Sequence, residues 1–306
     1  MSTTPEAALN ALLDLTPLHL FIQREASTSM YRLTTRLRSR WLSQTLRSAQ
    51  DSILEHSVLG MTSDVMLPKQ NFKILYQVEF PTKEDWETNS HTWKDGSLLW
   101  YTDWSKMGPN VGCGIHGVRP RLSYKLNKGR YSSIFQAEVY AIITCADLNL
   151  KRGYFDKHIY INSYSQAALH ALASVTQTSR IIDNCVNILN TLGESNIVVL
   201  RWVPGHSDIE GNESADELTK AGAREAFIGP EPFIGIAYSL AKFTVLNEST
   251  HLSREAWLQN KGLEQLLNTG TTNRQIESDP DKPDIQGDVV RDVGRDTTKI
   301  VDDKTS

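Results

Sequence analysis

At 306 residues and 40% hydrophobic, the chain is long enough for one good core with appended segments. Its net charge of -4 and pI near 6.1 exclude the broad basic field of a free-standing nucleic-acid binder, so any grip on phosphate must be local. Three widely spaced cysteines, Cys113, Cys145 and Cys185, exclude a disulfide framework or a zinc ligand set.

Thr4-Pro5-Glu6 followed by Leu9, Leu12 and Leu13 predicts a short helix with one apolar face, ended or interrupted by Pro17. A second helical segment, residues 23–50, carries Arg24, Arg32, Arg36, Arg38, Arg40 and Arg47 against an apolar side of Tyr31, Leu33, Leu37, Trp41 and Leu42. Two readings stand side by side there: a surface for phosphate, or an arginine-coated helix with its head groups in water. Phe72, Ile74, Tyr76, Val78 and Phe80 alternate with Lys73, Leu75, Gln77 and Glu79, the period of a strand with one buried face. Residues 83–97 read as a linker.

Residues 98–105, 111–118 and 122–127 are short runs parted by Gly and Pro signals, as in an antiparallel meander. Ser133 with Gln136 three residues on forms a capping-box signature for a helix through Val139, Ile142 and Ala146. A strand is expected at 159–163, helices at 166–174 and 180–192, a last strand at 197–203 and a last helix at 213–224. Strands joined through helices need a partly parallel sheet, so a mixed α/β layer with helices on its faces is predicted. Residues 270–306 are rich in Asp, Thr, Lys and Arg, too poor in apolar area to offset ordering entropy, and are expected to be disordered. No apolar run approaches the roughly 18 residues that span a bilayer, and no basic n-region precedes the first apolar stretch. The chain is expected to be reduced and intracellular, in cytoplasm or nucleus, and neither secreted nor membrane-spanning.

Asp103 falls at the end of the first strand of the meander, Glu138 one turn into a helix, position 164 at the end of the strand after that helix, and Asp216 near the start of the last helix. In α/β sheets ligands gather at strand ends, so acids from separate elements can meet there. Clustered carboxylates call for a compensating cation, and hard oxygen donors suit Mg²⁺, with Mn²⁺ the alternative. Two such ions would clamp the attacking and leaving oxygens of a phosphodiester.

Tyr101-Thr102-Asp103, Gln136-Ala137-Glu138, Ser165-Gln166-Ala167-Ala168-Leu169, Val203-Pro204-Gly205-His206 and Gly211-Asn212-Glu213 with Ala215-Asp216 occur in that order. Together they resemble the type 1 ribonuclease H family, in the version found at the C-terminal end of non-LTR retrotransposon reverse transcriptase polyproteins. That resemblance implies a five-stranded mixed sheet, a three-strand meander followed by parallel strands, with helices on both faces and a mainly helical N-terminal extension. It implies residues 1–96 as a region connecting reverse transcriptase to RNase H, 97–225 as the RNase H-like domain, 226–269 as a retrotransposon-type extension that includes Gly229-Pro230-Glu231-Pro232-Phe233, and 270–306 as tail. The implied activity is hydrolysis of the RNA strand of an RNA/DNA hybrid, leaving 5′-phosphate and 3′-hydroxyl ends, with a reverse transcriptase chain as a candidate partner. Asp103, Glu138 and Asp216 would be the metal ligands. His206 would assist proton transfer or product release from a loop. Gln166 and Asn212 would touch the hybrid's minor groove, where 2′-hydroxyls mark RNA, or would simply begin helices as caps.

The family pattern is broken beside this centre. Tyr164 stands at the fourth ligand position, where the pattern has Asp, and near neutral pH a phenol of pKa about 10 is a neutral oxygen. Trp104 stands where Gly usually follows the first aspartate, and Asp208 where Gly usually lies two residues after the histidine. The alternative these departures raise is a catalytically inactive hybrid-binding or scaffold module from a decayed or domesticated retroelement.

Overall fold

The computed structural model describes residues 13, 15–37, 58–88, 93–205 and 209–258. The first predicted helix, the arginines from Arg38 to Arg47, His206, Asp208 and the 270–306 tail lie outside them. The chain divides into two compact units, residues 31–241 and a smaller one drawn from residues 1–30 and 242–306. In the smaller unit Leu20, Met30 and Val245 are buried. Helix α1, Leu18–Leu37, begins five residues earlier than its arginine pattern indicates, because Pro17 sets the start: its carbonyl accepts the amides of Leu20 and Phe21.

The larger unit holds, in chain order, β1 (Val65–Gln70), β2 (Tyr76–Glu79), α2 (Lys83–Glu87), β3 (Leu98–Met107), β4 (Asn110–Arg119), β5 (Leu122–Asn127), α3 (Ile134–Lys151), β6 (His158–Ser163), α4 (Gln166–Ala173), β7 (Thr176–Ser179), α5 (Arg180–Gly193), β8 (Ile197–Trp202) and α6 (Glu210–Arg224). Helix α7, Tyr238–Leu258, follows. The main sheet runs β2-β8-β6-β3-β4-β5. Its β3-β4-β5 part is the expected antiparallel meander, and β3, β6, β8 and β2 are parallel neighbours.

Direct opposition in the β3–β4 register puts Thr102 beside Ile115 and Trp104 beside Cys113 on one face, and Asp103 beside Gly114 on the other. On the first face Trp100, Ile115, Ile159, Ile161, Val198 and Leu200 make the core with α3, α4 and α5. The second face receives α6 over β3 and β4, and there β4 carries glycine: a Cβ at Gly112 or Gly114 would strike the backbone of α6. Helices therefore cover both faces, and β3 is buried from Leu98 to Asp103.

Three expectations need correction. The sheet has a sixth strand, because the regular part of the alternating 72–80 stretch is only β2, which pairs with the β8 edge. Tyr76 is buried, but Phe72 is 81% exposed and Phe80 39%, so the single apolar face does not extend over the whole run. The supposed linker contains α2, opened by a Thr82/Asp85 capping box, with Trp86 buried and its indole N–H donating to Trp202 O at 3.2 Å. A separate two-stranded sheet pairs β1 with β7.

Candidate active site

Each acid is delivered by the local logic of its element. Asp103 lies in the central strand, one residue past the last position at which β3 pairs with β6. Glu138 is in the second turn of α3, whose start is fixed by the reciprocal bonds of Ser133 and Gln136. Tyr164 follows the end of β6, and Ser165 then caps α4 by accepting the Ala168 amide. Asp216 projects from α6, held near the sheet by the glycines of β4.

Asp103 and Glu138 are each 7% exposed, and Asp103, Glu138, Tyr164 and Asp216 lie close enough for their charges to influence one another's protonation. Burial, with Asp216 adding to the rise, pushes the Asp103 carboxyl up to about 7, against the opposing Trp104 backbone N–H at 2.7 Å and the Lys220 ammonium. Burial, with Asp103 adding to the rise, lifts Glu138 to about 8, against the hydrogen bond from the Ser165 hydroxyl and the favourable influence of the nearby Tyr164 hydroxyl. The Tyr164 hydroxyl is pushed upward by burial and by the three surrounding carboxylates, so it remains a protonated donor.

Two further contacts pin Tyr164. Its ring stacks with Trp104, centroids 6.4 Å apart and planes 24° from parallel, and its carbonyl accepts the Trp202 indole N–H at 3.0 Å. Asp216 is paired with Lys220 one helical turn on, at 2.5 Å. Ser165, Trp202 and Lys220 were not among the expected site residues. The Asp216–Lys220 spacing of four on a helix was a readable signal. The other two depend on which strand ends meet.

Gln166 is exposed in the first turn of α4, and Asn212 is buried in the first turn of α6 with its side-chain oxygen unpartnered. Neither is a cap: Ser165 caps α4, and Ile209 precedes α6 without a side-chain cap bond.

Donor chemistry tests the fit to divalent ions. Among the described residues, no three His, Cys, Asp or Glu side chains are gathered so as to hold a metal ion. Glu138 is taken by the Ser165 hydroxyl, Asp216 by an ammonium, and position 164 offers a neutral phenol in place of a carboxylate. With Tyr164 in place, the residues do not fit a two-ion centre.

A mixed sheet of this order, with acids converging from β3, α3 and α6, defines the class as RNase H-like. The RNase H family model matches residues 95–224, which supports an RNase H-type domain over that segment. That family acts as ribonuclease on RNA/DNA hybrids and typically uses divalent metal ions. No curated protein matches the chain. Among the described residues no helix is long and apolar enough to cross a membrane, and the three cysteines are free and buried.

Proposed function

We propose that the chain is the RNase H portion of a non-LTR retrotransposon-type polyprotein, which engages an RNA/DNA hybrid and hydrolyses its RNA strand only weakly. The observation that carries this reading is the neutral Tyr164 phenol set among the Asp103, Glu138 and Asp216 carboxylates, each of which pushes its pKa up. Mg²⁺ is the proposed cation, with Mn²⁺ the alternative, for the centre that an aspartate at 164 would complete. Loss of one anionic ligand at about 4 kcal/mol of transition-state stabilisation lowers the rate about a thousandfold.

In this reading Gln166 and Asn212 contact the minor groove, supported by the exposure of the first and the unpartnered oxygen of the second. His206 assists proton transfer from the segment between β8 and α6. A reverse transcriptase chain is the proposed partner, and cytoplasm or nucleus the proposed location. A second reading, a wholly silent hybrid-binding module, is favoured by the Trp104–Tyr164 stack, which holds the phenol in place.

The test incubates the full chain with a labelled hybrid in Mg²⁺ or Mn²⁺, beside Asp103→Asn and Tyr164→Asp. Tyr164→Asp is expected to cleave about a hundredfold to a thousandfold faster than the unmodified chain. Unmodified cleavage at the Asp103→Asn background supports the silent reading, and cleavage above it supports residual activity. A rate already equal to that of Tyr164→Asp would sink the impairment. Hybrid binding should weaken as salt rises, and its absence at low salt would remove the hybrid from the account.

A further inference from the structure

The motif Gly229-Pro230-Glu231-Pro232-Phe233 lies beyond the matched domain, and no part of the proposed reaction uses it. Its contacts are concentrated on one place, the corner from β5 into α3. Asn127 donates to Glu225 O at 2.6 Å. The Arg130 amide donates to Glu231 Oε1 at 3.0 Å and the Arg130 guanidinium meets Oε2 at 3.3 Å. Gly129 adopts φ of 72°, and a Cβ there would strike the Glu231 carboxylate. The buried Lys128 ammonium lies 3.6 Å from the Tyr140 ring centroid and 4.0 Å from that of Phe233, whose rings meet edge-on at 5.1 Å. Gln136, fully buried, donates to Gly235 O at 2.7 Å.

These attachments bracket Glu138, at residues 127, 128, 130 and 136 before it and Tyr140 after it. The capping box uses Gln136 Oε1 for the Ser133 amide and leaves the amide nitrogen for the strap, so one side chain joins the helix start to the extension. Beyond Gly235 the extension is anchored in turn, Ile236 donating to Thr62 O at 2.7 Å and accepting from the Asp64 amide at 2.9 Å. A carboxylate on the second turn of a helix moves with the turn that starts it.

We propose that residues 225–236 form a strap that fixes the entry of α3, and that Glu231 and Phe233 are positioning residues for Glu138. The proposal rests on Glu138 belonging to the acid centre, but not on the unmodified chain being active.

The test uses the full chain with Phe233→Ala, Glu231→Ala and the conservative Phe233→Tyr. Amide exchange in residues 128–138 should accelerate about tenfold in the two alanine variants while β6 and β8 keep their protection, and Phe233→Tyr should restore it. In a Tyr164→Asp background the alanine variants should lower kcat about tenfold with KM within about twofold, the pattern of lost positioning at the reacting centre. Exchange that rises uniformly across the sheet, or stays unchanged at 128–138, overturns the strap. If Phe233→Ala does not fold, Glu231→Ala carries the same comparison. If a folded Tyr164→Asp never cleaves, the account that rests the impairment on Tyr164 alone fails, with Trp104 or Asp208 sharing it, and the exchange result still decides the strap.

Discussion

Asp103 and Glu138 hold protons to higher pH in the folded chain than they do when unfolded, where carboxyls titrate near 4. The folded state therefore binds more protons between about pH 4 and the folded values of about 7 and 8, and stability must fall as pH rises through that window. Each unit of separation is worth about 1.4 kcal/mol, so the two groups make a measurable slope. Thermal unfolding from pH 5 to pH 9 should show Tm declining, and Asp103→Asn or Glu138→Gln should flatten the decline and raise Tm at the alkaline end. A slope unchanged in both variants would count against burial as the cause. At this scale the acids were legible in the sequence because each sits in a short motif. Trp104 was legible as a departure from the pattern's glycine beside Asp103, but its contact with Tyr164 was not, because the two are sixty residues apart and meet only through β3 and β6 pairing.

Helix α6 brings Asp216 to the centre only because β4 lets it approach. At Gly114 a Cβ would meet the Ala215 carbonyl and come within 2.8 Å of the Thr219 amide, on the two turns that flank Asp216. Backbone cannot swing aside as a side-chain tip can, so Gly114→Ala should lift the helix and cost about 1–3 kcal/mol. Urea unfolding would read the loss, and loss of the upward pull on Asp103 would read the displacement of Asp216 in a carboxyl titration. A chain as stable as the unmodified one would show that α6 packs more loosely than this geometry requires. The start of α3 was legible because Ser133 and Gln136 make it, whereas the Thr82/Asp85 box of α2 was missed in a short polar stretch with a single buried residue, Trp86. Strands β1 and β7 gave little signal: β1 contains Pro68, and β7 is four residues of Thr, Gln and Ser. Their pairing is held by Asp64, whose carboxylate accepts the Ser179 hydroxyl at 2.6 Å and the Ile181 amide at 2.9 Å, a long-range cap that local pattern cannot reveal.

At the scale of the whole molecule, the unit that folds is set by which edges and helix ends are satisfied. The matched residues 95–224 include β8, but the strand that pairs with its outer edge is β2, from upstream. Asn190 of α5 likewise spends its side chain upstream, on the Leu75 amide and the Lys73 carbonyl, both at 2.8 Å. The α5 start loses Asp64, and the α3 start loses Gly235, if the chain is cut to the matched segment. Each buried polar group left unpaired costs about 1–3 kcal/mol, and a domain has only about 5–15 kcal/mol to lose. Residues 58–241 should therefore unfold cooperatively with strong near-ultraviolet dichroism, whereas residues 95–224 alone should lack it and exchange β8 amides rapidly. Equal Tm for the two fragments would mean that β2, the Asp64 cap and the strap rest on a domain already complete without them.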